Sequence, residues 1–437
     1  MVHKKQVFFY FFICAFLGSK AQDTAKVLQL TDAIKSAVEQ NRQISLAKKD
    51  EQIAQAQFKQ TEAIWLPQIN LSYTGFTTNQ PLNAFGFKLQ QANVQQADFN
   101  PAVLNHPGST GNTLTQLSLQ QPIFNQDLTY MRRAALKQTE VYALQAKRTK
   151  EAVEMQVTNT YLQLEFTYEV VHLLKEVLKT VQEMHRFTND RYNQGLLQKS
   201  DVLNVEVQVK AAETNLAEAQ SQINNISNQL SLLMNTPPGV VYQTIPVVMN
   251  LNETNALNVS TDRADVKALS TAVSAYDLAI KSTKMSMFPK LNGFANYQLN
   301  DKSLVGFGAN SYMAGLQLSW DIFKGNQTKN KVAVQQLEKN KLQEQLQDQI
   351  AKGNVEIRKT MADLHDAAYK IDQQTKAVEQ AAEALRIMQN RYSQGLVNTT
   401  DLLMAQTQWA QQKMLKAQAV LMQKSTATYL QFLTTNY

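Results

Sequence analysis

Asp190-Arg191-Tyr192-Asn193-Gln194-Gly195-Leu196-Leu197, followed by Asp201-Val202-Leu203, is the stretch on which the fold turns, because the chain repeats it. Asn390-Arg391-Tyr392-Ser393-Gln394-Gly395-Leu396-Val397, followed by Asp401-Leu402-Leu403, matches it at a constant offset of 200 residues. That offset is too long for a solenoid repeat and indicates two homologous halves in pseudo-symmetric positions. A long helical pattern precedes each glycine and another follows each aspartate, so each copy reads as the bend of a helical hairpin. Gly195 and Gly395 are expected to supply the positive φ that ends a helix. Ser200/Asp201 and Thr400/Asp401 are expected to cap the next one.

Outward from the bends the pattern is helical. Val202, Val205, Val209, Ala212, Leu216, Ala219, Ile223, Ile226, Leu230 and Leu233 step alternately by three and four, which is a coiled-coil seam. Met361, Leu364, Ala368, Ile371, Thr375, Val378, Ala382 and Leu385 do the same, as do Val157, Tyr161, Leu164, Tyr168 and Val171. The patterns leading into the bends run from about 126 to 192 and about 325 to 392, so each helix would reach roughly 100 Å. That length suits a shaft or a tube rather than a globular core.

Four segments follow a period of two instead. Ile69, Leu71, Tyr73 and Gly75 alternate with polar residues, as do Leu117 and Leu119. Leu291, Gly293, Ala295, Tyr297 and Leu299 form the third apolar series, and Tyr312, Ala314, Leu316, Leu318, Trp320 and Ile322 the fourth. One apolar and one mostly polar face is the pattern of a barrel strand between lipid and water, although a half-buried soluble sheet would alternate in the same way. Aromatics near the strand ends (Trp65, Phe76, Phe124, Phe288, Trp320, Phe323) favour the barrel. Four strands cannot close one, so several chains are required.

The layout is itself duplicated. The first repeat is expected over 22–234, with a strand hairpin at about 68–121 and a bend near 193–199. The second is expected over 262–437, with a hairpin at about 290–322 and a bend near 393–399. Pro67 and Pro289 stop an incoming helix and impose extended geometry. Residues 235–261, with Pro237-Pro238-Gly239 and Pro246, read as an irregular connector, and about 79–112 as a long loop outside the membrane.

The N-terminus reads as a signal peptide over 1–21: Lys4 and Lys5, an apolar run from Val7 to Leu17, then Ser19-Lys20-Ala21. Phe12-Ile13 precede Cys14, so no lipid anchor is expected. Cleavage removes the sole cysteine and lowers the formal charge from +7 to about +4. Basic residues are interspersed with acidic ones, which describes a solvated helix surface rather than a nucleic-acid stripe.

The duplicated halves, the Leu66-Pro67 and Pro122-Ile123-Phe124 transitions, and the two Arg-Tyr-x-x-Gly-Leu bends with a downstream aspartate resemble the TolC-like outer-membrane efflux proteins, also called outer membrane factors. The resemblance covers nearly the whole mature chain. It implies a mainly α fold with a membrane β-barrel, in which a homotrimer shares a twelve-stranded barrel and its coiled-coil helices form a periplasmic α-barrel. It implies an outer membrane location in a Gram-negative bacterium, extending into the periplasm. The partners implied are a periplasmic adaptor, an inner-membrane transporter of RND or ABC type, and outer-membrane lipid. The role implied is a passive exit duct for tripartite efflux or type I secretion, with drugs, other small molecules or proteins as cargo.

By the same resemblance, Arg191, Tyr192, Gln194, Gly195 and Leu196, with Arg391, Tyr392, Gln394, Gly395 and Leu396, are the expected adaptor contacts. Helix C-terminal capping by arginine and tyrosine packing across the hairpin would also account for several of them. Asp201 and Asp401 are the expected pore gate, as rings of carboxylates at the periplasmic tip. Helix capping alone also accounts for them, and the two roles are compatible. Well-known members carry a second acidic residue three positions after the second aspartate; here Met404 stands there, and Asn204 in the first copy, so a single ring at Asp401 is the safer expectation.

Catalysis finds no motif. His106, His172, His185 and His365 show no metal-ligand spacing, and no phosphate-binding glycine loop is present. No cofactor, metal or enzymatic activity is expected. The competing reading is a soluble exported coiled-coil scaffold, which explains the helices but not four symmetrically placed alternating segments.

Overall fold

The computed structural model describes residues 26–249 and 258–434. The expected signal peptide, with Cys14, lies outside them. The described chain divides into two compact units.

The elements in chain order are β1 (Lys26–Leu28), α1 (Leu30–Gln40), α2 (Arg42–Gln60), β2 (Gln68–Thr78), α3 (Pro81–Gln90), α4 (Pro101–Asn105), β3 (Thr110–Phe124), α5 (Gln126–Asn193), α6 (Lys199–Leu233), β4 (Tyr242–Thr244), α7 (Ala264–Met285), β5 (Lys290–Asp301), β6 (Ala309–Ser319), α8 (Gln327–Ser393) and α9 (Thr399–Thr434). No described helix is long and apolar enough to cross a membrane.

One unit holds Gln156–Asn250, Ala367–Ser425 and the chain before Gln40. Its helices bury the seams that the sequence carries: Val205, Ala212, Ile223, Ile226, Leu230 and Leu233 are buried along α6. On α8 the seam steps by three where four was expected, because Ala367 is fully buried and Ala368 is exposed. The connector contributes β4, which pairs in parallel with β1. Two tyrosines of α5, Tyr161 fully buried and Tyr168 half-buried, fasten this small sheet to the helix. Tyr161 donates to Leu28 O at 2.8 Å and receives Ile245 N at 2.8 Å, and Tyr168 donates to Tyr242 O at 2.7 Å. Burial pushes both phenols above their ordinary ionisation range.

The other unit holds Gln40–Met155, Leu251–Asp366 and the chain after Ser425. Its centre is an antiparallel sheet in the order β2-β3-β5-β6, leaving β2 and β6 as edges. The register aligns Leu71, Leu117, Tyr297 and Tyr312 in one row and Ser72, Gln116 and Gln298 in another. One face is therefore apolar. The other is mostly uncharged amides and hydroxyls, interrupted by Phe76, Leu114, Phe294 and Met313, and in it Gln298 Nε2 donates to Gln116 Oε1 at 3.1 Å and Asn112 Nδ2 to Asn300 Oδ1 at 3.0 Å.

The strands depart from their expected limits. β3 is longer than its alternation, carrying a bulge at Pro122–Phe124 where proline cannot donate to the ladder. β6 stops at Ser319, so Trp320 and Ile322 lie beyond the strand despite continuing the alternation. The loop between β2 and β3 contains α3 and α4, each begun by a proline at its first helical position. Ten and five residues are too few to reveal helical periodicity. In the same unit, Arg263 holds Asp265 through two bonds of 2.7 and 2.9 Å. Burial would raise the Asp265 carboxyl, but the Arg263 bonds and charge, with Arg148 and Gln349, outweigh it and hold the group below the usual carboxylate range.

Candidate functional site

The two bends lie in the same unit, and their backbones are alike. Gly195 and Gly395 each have φ of 76°. Leu196 N donates to Arg191 O at 2.9 Å and Gly195 N to Tyr192 O at 2.9 Å; the second copy gives 2.9 Å for Leu396 to Arg391 and 3.0 Å for Gly395 to Tyr392. This is the Schellman arrangement, a six-to-one bond enclosing a five-to-two bond around a left-handed residue. It explains the Arg-Tyr-x-x-Gly-Leu spacing. The arginine carbonyl accepts the outer bond, the tyrosine carbonyl accepts the inner one, and a β-carbon at the glycine would carry the strain of a left-handed conformation.

The aspartates do not sit where capping residues sit. Helices α6 and α9 begin at residues 199 and 399, which places Gln198 and Asn398 at the N-cap and both aspartates one turn later, at the third helical position. The Asp201 carboxylate reaches back to accept Gln198 N at 3.1 Å. The first bend is thereby a reciprocal capping box, whereas in the second only the other arm is made, Asp401 N donating to Asn398 Oδ1 at 2.8 Å. Asparagine is short enough to fold onto the third amide of the helix, so the Asp401 carboxylate is not consumed by the cap. It makes no hydrogen bond or ion pair among the described residues.

Side chains separate the copies further. Tyr392 is only 4 % exposed, and its hydroxyl lies 2.9 Å from Thr188 Oγ1 and 3.1 Å from Thr399 Oγ1. Its ring packs on Phe187 with centroids 5.3 Å apart. Tyr192 is 39 % exposed. Arg191 crosses between the bends: it donates to Ser393 O at 2.9 Å and lies over the Phe187 ring at 4.6 Å. The Arg391 side chain is exposed and makes no hydrogen bond, ion pair or ring contact among the described residues. Gln194, Leu196, Gln394 and Leu396 are exposed in both copies.

The expected bend residues thus separate. Tyr392 faces inward and Arg191 is half-buried as a brace, whereas Tyr192, Gln194, Leu196, Arg391, Gln394 and Leu396 face outward. Residue-by-residue reading missed Phe187, Thr188, Ser393, Asn398 and Thr399. Their signal lies in the positions where the copies differ: Thr188 is matched by Met388, and Thr399 by Lys199. Among the described residues no cluster of His, Cys, Asp or Glu side chains is placed to hold a metal.

Comparison with known proteins bears on the fold and the family. A curated relative, a probable outer membrane lipoprotein, SilC of Salmonella typhimurium, is 19 % identical over 392 residues, covering 86 % of this chain and 79 % of its own. That relative is described as a lipoprotein, so the expectation of no lipid anchor on Cys14 finds no support there. Among solved structures, the outer membrane protein VceC of Vibrio cholerae superposes with a TM-score of 0.75 at 17 % identity, covering 92 % of this chain and 94 % of its own. The outer membrane channel CmeC of Campylobacter jejuni gives 0.77 at 16 % identity, covering 92 % and 85 %. Both have the fold described above, mainly α with a β contribution of the TolC type. The family described as outer membrane efflux protein, a non-enzymatic family, matches residues 33–236 and 258–436. The chain therefore belongs to the outer membrane efflux protein family.

Proposed function

We propose that three copies of this chain form a passive exit duct in the outer membrane of a Gram-negative bacterium, serving a tripartite efflux or type I secretion system. The observation that carries this reading is the sheet. β2 and β6 are unpaired edges, and residues on both faces of both strands are exposed. In lipid every backbone donor and acceptor must be paired, and only closure meets that demand. β6 of one copy pairing with β2 of the next would close twelve strands, with the Leu71 and Leu316 face toward lipid and the Gln116 and Gln298 face toward water. Exposed Trp65, Phe124, Phe288, Trp320 and Phe323 gather at the sheet end nearest the helices, where an interfacial girdle belongs. The helical bends would then form the periplasmic tip. There Arg391, Gln394 and Leu396, with Tyr192, Gln194 and Leu196, meet an adaptor linked to an RND or ABC transporter. Asp401, free of the cap, is the better of the two carboxylates to line a constriction, and Asp201 the weaker.

Reconstitution in planar bilayers tests the duct. The full chain should cross-link as a trimer and conduct, and recovery from the soluble periplasm would sink the proposal. Asp401→Ala should lower cation preference, and unchanged conductance and selectivity would remove Asp401 from any gate.

A further inference from the structure

We propose that a groove between α5, α6 and α9 is a binding site for a small neutral amphipathic molecule that carries a carboxamide-type donor and acceptor. The site goes beyond the duct reading and does not depend on it. The groove encloses about 370 Å³, within the range of small-molecule pockets. Leu173 and Val177 of α5 and Leu403 and Met414 of α9 are among its apolar lining residues, beside neutral polar side chains of α6 and α9. No lining residue is charged, although α5 and α6 each carry several Lys and Glu residues.

Gln406 decides the chemistry. It lines the groove, is 2 % exposed, and neither its Oε1 nor its Nε2 has a hydrogen-bond partner. A buried amide with both ends open is costly, and native proteins leave few of them. A leucine or methionine at this point of α9 would pack without that cost. The amide is thus placed to pair with a guest that offers an acceptor and a donor side by side, while the apolar lining residues receive the guest's body. Nine of the other lining residues are apolar, and Gln208, Asn215, Thr407 and Gln411 supply the remaining neutral polar edge, so bound water is the competing occupant that the soaked crystal distinguishes. The absence of charge excludes an anion or cation as the preferred guest.

Benzamide is the probe, with benzoate as its charged isostere, applied to the full chain purified in detergent at neutral pH. Saturation-transfer NMR should show saturable benzamide binding at least tenfold tighter than benzoate, and a soaked crystal should place the carboxamide on Gln406. Gln406→Met should weaken benzamide binding about tenfold while leaving the melting temperature unchanged or raised. Ala410→Leu, which narrows the groove but keeps the amide, should also abolish binding and covers the case in which Gln406→Met fails to fold. Absence of saturable binding, equal affinity for benzoate, unchanged affinity in a folded Gln406→Met, or only ordered water on Gln406 in the soaked crystal would each overturn the assignment.

Discussion

The two bends share a motif and a backbone but not an environment. Around Gly195 and Gly395 the chain has the same φ and the same pair of capping bonds. Yet Tyr392 is buried between two hydroxyls, whereas its counterpart Tyr192 is exposed. The cause lies just outside the shared motif. A copy of the Tyr392 network around Tyr192 would need hydroxyls at 388 and 199, and the chain has Met388 and Lys199 there. Likewise Ile387 replaces the Phe187 ring against which Tyr392 and Arg191 pack. The motif therefore encodes how a helix ends, and its neighbours encode which bend is the anchor and which is left free.

The sharpest way to break this contrast is to truncate the tyrosines. Tyr392→Ala removes a buried aromatic and should cost about 3–5 kcal/mol, whereas Tyr192→Ala should stay within about 0.5 kcal/mol in the isolated chain. Thermal unfolding of the purified protein measures both. Equal losses in the proposed trimer would mean that a neighbouring copy buries Tyr192, and the asymmetry would then belong to the monomer alone. A gentler version is Tyr392→Phe, which keeps the ring and strands the Thr188 and Thr399 hydroxyls. It should cost about 1–3 kcal/mol by leaving buried polar groups unpaired, and Tyr192→Phe should be silent.

The arginines come next in size. Arg191→Ala loses a charged hydrogen bond to Ser393 and its place over Phe187, a loss of about 1–2 kcal/mol. Arg391→Ala should leave unfolding unchanged. On the proposed docking role it should instead weaken adaptor capture, measured by co-purification. A melting-point loss at Arg391 with intact capture would reverse the assignment of brace and contact surface.

How far the sequence carried this picture depends on the range of the interaction. The helices, the bends and the alternating strands were legible because periodicity and glycine placement are local. Even the six-to-one bond is a short-range property that Arg-Tyr-x-x-Gly-Leu spells out. The end of β6 was not legible, since Trp320 and Ile322 keep the alternation while the ladder on β5 ends at Lys290 pairing with Ser319. Pairing, not pattern, terminates that strand. The burial of Tyr392 was hidden for a similar reason: Thr188 is about two hundred positions away and becomes its neighbour only when two hairpins pack.

The smallest contrast concerns the caps, and it reads on the carboxylates most directly. In the first bend Asp201 itself accepts the Gln198 amide, so Asp201→Ala should cost about 0.5–1 kcal/mol through the lost bond and the lost charge at a helix start. In the second bend Asn398 closes the cap, so Asn398→Ala should cost about 1 kcal/mol. Asp401→Ala should cost only the charge term, a few tenths of a kcal/mol. Urea unfolding of the three variants ranks them. If Asp401→Ala proves as damaging as Asn398→Ala, the carboxylate is held by the fold after all, and its freedom to face a pore is lost. If it is nearly silent, Asp401 is stabilising little where it stands, and its presence at the bend then calls for the functional explanation that conductance can test.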